Sequence, residues 1–126
     1  MFYEAALGIE EILIQRSPSG LTYIAEWKYG RLEHKMDHLA CFAGGLYGLA
    51  AENEKDENSV RWMLIAKNIT HTCHESYDRS DTKLGPDVFW FSDKVDAKAL
   101  RPNEMYVIYS HNKHLFSQQN RNDQSF

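Results

Sequence analysis

Two helix-period stretches separated by a run of charge constrain this chain most. Leu39 to Ala51 carries Leu39, Phe42, Leu46 and Leu49 along one stripe, and Trp62, Ala66, Ile69, Cys73 and Tyr77 recur at spacings of four, three, four and four. Apolar residues at such spacings share one face of an α-helix. Between them lies "ENEKDENS", a solvated connector. The pair therefore predicts a helical hairpin with both stripes turned inward. Upstream, Phe2, Ala6, Ile9 and Leu13 predict a helix over 2–16 that "SPSG" ends, and "LTYIAEW" reads as extended. Downstream, "KLGPDVFWF" is a turn leading into a short apolar run. The last stretch, Tyr109 to Phe126, in which Ser117 to Ser125 contains no apolar residue, is expected to be disordered. No internal repeat is visible.

Composition narrows the function classes. The chain has 126 residues, enough for one domain, with 43% hydrophobic and 25% charged residues and a net charge of -4. That balance offers no general attraction to nucleic acid or anionic membranes. No run of eighteen apolar residues occurs, and "MFYEAALGIEE" lacks the pattern of a signal peptide. Two features fit a secretory lumen instead: two cysteines, and a sequon at Asn68-Ile69-Thr70. That sequon falls mid-helix beside the apolar stripe, which makes it a poor acceptor.

The chemistry-bearing stretch is "HKMDHLACFAGG", His34 to Gly45. On a helix, His34, His38, Cys41, Gly45 and Gly48 would share a face, and two histidines four apart have the geometry of a metal-ligand pair that Cys41 or Cys73-His74 could complete. No C-x-x-C occurs, and the glutamate of the zinc-protease motif is missing. The competing reading makes Asp37 the N-cap of the following helix and His38 a partly buried, hydrogen-bonded residue. Cys41 and Cys73, on inward faces of adjacent helices, are then free thiols or one disulfide. His71, His74, His111 and His114 read as surface residues. A Cys73–His74 nucleophile is disfavoured, because neighbours on a helix point about 100° apart.

Four stretches in order carry a resemblance: "GLTYIAEW", "LEHKMDHLACFAGGLYGLAA", "TCHESYDRSDTKLGPDVFWF" and "RPNEMYVI". Together they resemble the class I α-1,2-mannosidases, glycoside hydrolase family 47, most closely the Golgi-type branch, over Met1 to Ile108. The resemblance implies an all-α fold, part of an (α/α)7 barrel with short β segments. It makes 1–108 part of a catalytic domain and 109–126 a divergent tail. It implies removal of α-1,2-linked mannose from high-mannose N-glycans in the lumen of the endoplasmic reticulum or Golgi, by inversion and with calcium. Full-length relatives are usually anchored in the membrane.

Carried onto this chain, the resemblance puts Asp37 and His38 beside the mannose or its calcium-bound water. Golgi-type members often have Gly where Asp37 stands, and Asp87 replaces the family's Glu after Gly-Pro, keeping the charge with a shorter reach. The cysteines match the family's disulfide, Cys41 with Cys73. Inversion needs an acid and a base held roughly 6.5–9.5 Å apart. The family draws these from segments before Met1 and from an Arg-Pro-Glu motif after "YYI", where this chain runs into "YSHN" and puts Asn112 in the glutamate's place. An amide cannot act as base. The calcium-binding threonine also has no counterpart here. The resemblance thus identifies the chain as an internal piece of a mannosidase with no catalytic residue and no metal ligand of its own, expected to be inactive alone. The alternative is a non-catalytic glycan-binding or metal-binding helical module.

Overall fold

A computed structural model describes residues 1–17, 19–78 and 82–92, and the backbone of 104–108 and 116–117. Helix α1 spans Phe2–Ile12 and gives way to a hairpin of β1 (Ile14–Arg16) and β2 (Thr22–Ile24), paired antiparallel with Ile14 opposite Ile24. A second hairpin joins β3 (Glu26–Lys28) to β4 (Arg31–Glu33). Strand β5 (Lys35–Asp37) leads into a 3-10 turn at His38–Phe42, then α2 (Ala43–Asn53) and α3 (Glu57–Asp78). Strands β6 (Val88–Ser92), β7 (Glu104–Ile108) and β8 (Phe116–Ser117) complete a four-stranded sheet in the order β5-β6-β7-β8.

The first helix stops four residues before the expected end. Ser17 precedes a proline, which disfavours helical backbone there, and Gly20 takes the left-handed φ of 90° that a tight reversal requires. Ser17 N–H then donates to Leu21 O, Leu21 N–H donates to the Ser17 hydroxyl, and Ile14 to Arg16 pair as a strand rather than coil onward. The tail expected to be disordered lies outside the described residues except for Phe116 and Ser117, which pair with β7.

The helical hairpin forms, but one stripe faces the wrong way. Along α3, Trp62, Ala66, Ile69 and Cys73 are buried as expected, while Tyr77 is 37% exposed. Leu39 and Phe42, in the 3-10 turn, and Leu49, on α2, are 84%, 78% and 62% exposed, and the face of α2 against α3 carries Gly44, Tyr47, Ala50 and Ala51. Close approach decides this. A Cβ on Gly44 would sit 2.6 Å from Thr70 Oγ1 and 3.3 Å from Ala66 O, so only a hydrogen fits and the helices lie nearly backbone to backbone. The small residues form the interface and the leucines the outer surface.

Aromatic packing ties α1 to this pair. Trp62, with no exposure, meets Tyr47 edge-on at 6.0 Å and Tyr3 at 5.5 Å, and its indole N–H donates to Glu10 Oε2 at 3.0 Å. Tyr47 O–H donates to Ala6 O at 2.8 Å. In the sheet Met36 and Phe89 are opposite each other and fully buried, and Phe91 stacks on Tyr23 at 3.8 Å. Thr72 O–H donates to Thr22 O, joining α3 to β2. Asn68 is half-buried in the middle of α3, a packed helical setting for a sequon.

Burial, with the Glu10 carboxylate adding to it, pushes the Tyr47 phenol up to about 12. The unfolded chain's phenols titrate near 10. The folded state therefore holds this proton more tightly. The resulting stability is complete below about pH 10 and is lost as pH rises through about 12. Urea midpoints measured at pH 9 and 11.5 should fall more for the native chain than for Tyr47→Phe. At pH 7 that variant should cost about 1 kcal/mol, because Ala6 O loses its donor.

Candidate functional site

The strand-to-helix junction after β5 builds the site. Asp37 ends the strand with extended backbone, and its Oδ1 accepts from Ala40 N–H at 2.9 Å, capping the 3-10 turn as its residue type predicts. Antiparallel pairing sets Asp37 opposite Val88, and His38 N–H donates to Asp87 O at 2.8 Å. Register alone thus brings Asp37, His38 and Asp87 together although 50 residues of sequence separate the first from the last.

All three line a cleft of about 610 Å³, with Tyr77 and Gly85 also in its wall. His38 Nε2 and Tyr77 Oη share a hydrogen bond, their rings edge-on with centroids 5.3 Å apart. His38 Nδ1 is buried and has no hydrogen-bond partner among the described residues. Gly85 packs against both rings: a Cβ there would lie 2.8 Å from Tyr77 Cε1 and 3.2 Å from His38 Cε1. Carboxylates of Asp37 and Asp87 give the wall hydrogen-bond acceptors of negative charge, and Leu39, Leu84 and Val88 add apolar surface. Acceptors beside apolar patches suit an uncharged polyol, which offers hydroxyl donors and C–H faces; an anion would be repelled.

Cys41 and Cys73 are bonded, with Cα atoms 6.0 Å apart, and pin the 3-10 turn to α3. This settles the alternatives for these thiols. The bridge matches the pairing the resemblance implied.

The metal-ligand pair imagined for His34 and His38 does not form. His34 precedes a strand, where four residues span about 13 Å instead of one helical turn of about 5.4 Å. Its Nδ1 instead shares a 2.6 Å hydrogen bond with Tyr23 Oη. His71 and His74 are exposed on α3, as expected. Among the described residues no three His, Cys, Asp or Glu side chains cluster to hold a metal, and none of the helices is long and apolar enough to cross a membrane. Calcium takes six to eight oxygens, so the described residues do not fit a calcium cage.

Sequence reading missed Tyr77 and Gly85. Tyr77 falls on the apolar stripe of α3 and Gly85 in a Gly-Pro turn, and neither pattern marks a site. The available signal was the bridge: one helical turn beyond Cys73 is Tyr77, and three residues before Cys41 is His38.

The fold is that of a segment of an α-mannosidase. A solved α-1,2-mannosidase from Trichoderma reesei superposes with a TM-score of 0.62 at 19% identity, covering 73% of this chain and 19% of that one. The sequence comparisons go further: the model of glycosyl hydrolase family 47 matches residues 1–124, and the chain belongs to that family. It is 55% identical over 108 residues to human mannosyl-oligosaccharide 1,2-alpha-mannosidase IC, covering 86% of this chain and 17% of that protein. Mannosyl-oligosaccharide alpha-1,2-mannosidase IA of Drosophila melanogaster is 52% identical, covering 86% of this chain and 16% of that protein. The chain thus spans about a sixth of the length of these relatives. The likeness to Golgi-type enzymes read from the four motifs is borne out.

Proposed function

We propose that the cleft at Asp37, His38 and Asp87 holds α-1,2-linked mannose of a high-mannose N-glycan, and that the chain is the sugar-holding part of a mannosyl-oligosaccharide 1,2-α-mannosidase. The observation that carries this is the convergence of these three residues in one cleft, in a chain 55% identical to a mannosidase of that name. The proposal includes the larger architecture, a closed (α/α)7 barrel to which α2 and α3 contribute one hairpin. It also includes the setting, the lumen of the endoplasmic reticulum or Golgi, where a disulfide persists. Calcium is proposed as an ion of the whole enzyme, held by residues other than those described here.

In this division of labour the chain positions and does not cleave. Asp37 spends one carboxylate oxygen on capping Ala40 N–H. Asp87 stands exposed at the rim. Neither is set in the enclosed, water-excluding surroundings that an inverting acid–base pair requires. His38 and its neighbours orient hydroxyls, leaving the glycosidic oxygen unprotonated and water unactivated.

The test is an assay of the purified 126-residue chain with a high-mannose glycan and added calcium, alongside His38→Ala. No free mannose should appear. Titration of α-1,2-mannobiose should give weak binding to the native chain that His38→Ala reduces. Mannose released by the native chain and not by the variant would restore a complete enzyme and overturn the proposal.

A further inference from the structure

We infer that Tyr77 is the positioning residue of this cleft: by accepting a hydrogen bond from His38 Nε2 it holds the imidazole in one tautomer and one orientation. The inference deepens the reading above and rests on it for its bearing on sugar binding. Its structural content stands separately.

The main chain of His38 is already fixed, by its N–H to Asp87 O on one side and by the Asp37 cap on the other. What remains free is rotation of the ring about its two side-chain torsions and the choice of which nitrogen carries the proton. Tyr77 Oη on Nε2 restrains the first. The buried Nδ1 decides the second, since it has no partner among the described residues. A buried N–H without an acceptor is rarer than an unfilled lone pair, and leaving one unmade costs its desolvation. The proton therefore sits on Nε2, donated to the phenol oxygen. Gly85 packs against the pair, with no room for a Cβ against the Tyr77 ring and a tight 3.2 Å fit against the His38 ring.

The same two segments are joined twice. Three residues past His38, Cys41 is bonded to Cys73, one helical turn before Tyr77. The covalent rung fixes the spacing of the 3-10 turn from α3, and the hydrogen-bonded rung beside it aims the ring that the cleft uses.

Imidazole nitrogen NMR on the 126-residue chain tests this. In the native chain His38 should show a protonated Nε2 and a bare Nδ1. Tyr77→Phe should convert it to a mixture of tautomers, and α-1,2-mannobiose affinity should fall about three- to ten-fold, the effect of losing one hydrogen bond's worth of alignment. A spectrum unchanged by Tyr77→Phe, or a native His38 protonated on Nδ1, overturns the inference. Replacing Tyr77 by 3-fluorotyrosine keeps the shape with a poorer acceptor oxygen, so a shift toward the second tautomer is expected even if the phenylalanine variant folds badly. Absence of a shift counts against the inference. If the tautomer responds but neither chain binds mannobiose, the positioning role stands and the reading of the cleft as a mannose site fails.

Discussion

Replacing Cys41 and Cys73 together with alanine should lower the unfolding free energy by about 3.5–4 kcal/mol, the loop-closure entropy of a bridge between residues 32 apart. A domain of this size has about 5–15 kcal/mol in all. The variant should therefore melt about 10–15 °C lower. The largest local consequence falls on the cleft, because the bridge is the covalent link between the 3-10 turn carrying His38 and the helix carrying Tyr77. Chemical unfolding of the native chain and the double variant, with the native chain repeated under reductant, measures the effect. A loss below about 1 kcal/mol would mean that packing alone holds the turn on α3.

Trp62→Ala should cost about 3–5 kcal/mol, the range for removing a large buried aromatic. Trp62 has no exposed surface, and its truncation would leave a cavity between the Tyr47 and Tyr3 rings and remove the indole donor from Glu10 Oε2. Arg61 also donates to Glu10, so that carboxylate keeps one partner. The useful contrast is Phe42→Ser. Sequence periodicity places Phe42 in the core and would assign it a comparable loss, whereas its 78% exposure limits the loss to about 0.5 kcal/mol. Denaturant midpoints of the two variants, with slopes unchanged, decide which stripe is the core. Equal losses would mean that the outer face of the 3-10 turn leading into α2 is buried in solution.

These two residues mark how far the chain could be read without coordinates. Trp62 and Phe42 both sit at helical spacing among apolar neighbours, and periodicity cannot say which of two apolar faces turns inward. On α3 the alternative face carries Arg61, Lys67 and His71, so the pattern had one solution. On α2 the opposite face carries Gly44, Tyr47, Ala50 and Ala51, which is also compatible with burial. The choice went to the face whose small residues let the helices approach, a property of the pair that no single helix displays.

The candidate site divides in the same way. Asp37 was legible as a cap because an aspartate before a helical run has a local, short-range hydrogen bond to make. The pairing of His34 with His38 was misread because the stretch between them pairs with Val88 to Trp90 as strand, an interaction more than fifty residues away that overrides local helical spacing.

By itself, then, the sequence determined the helical hairpin, the capped turn at Asp37, the family and the identity of the two bonded cysteines. Each rests on local periodicity, on a neighbour within one turn, or on motifs in order. Tertiary structure alone decided which face of α2 is buried, where α1 stops, and that Tyr77 and Gly85 enclose His38. These depend on distances between segments remote in sequence, set by how closely two backbones can pack and by the register of a sheet. A residue's own type and spacing carry neither.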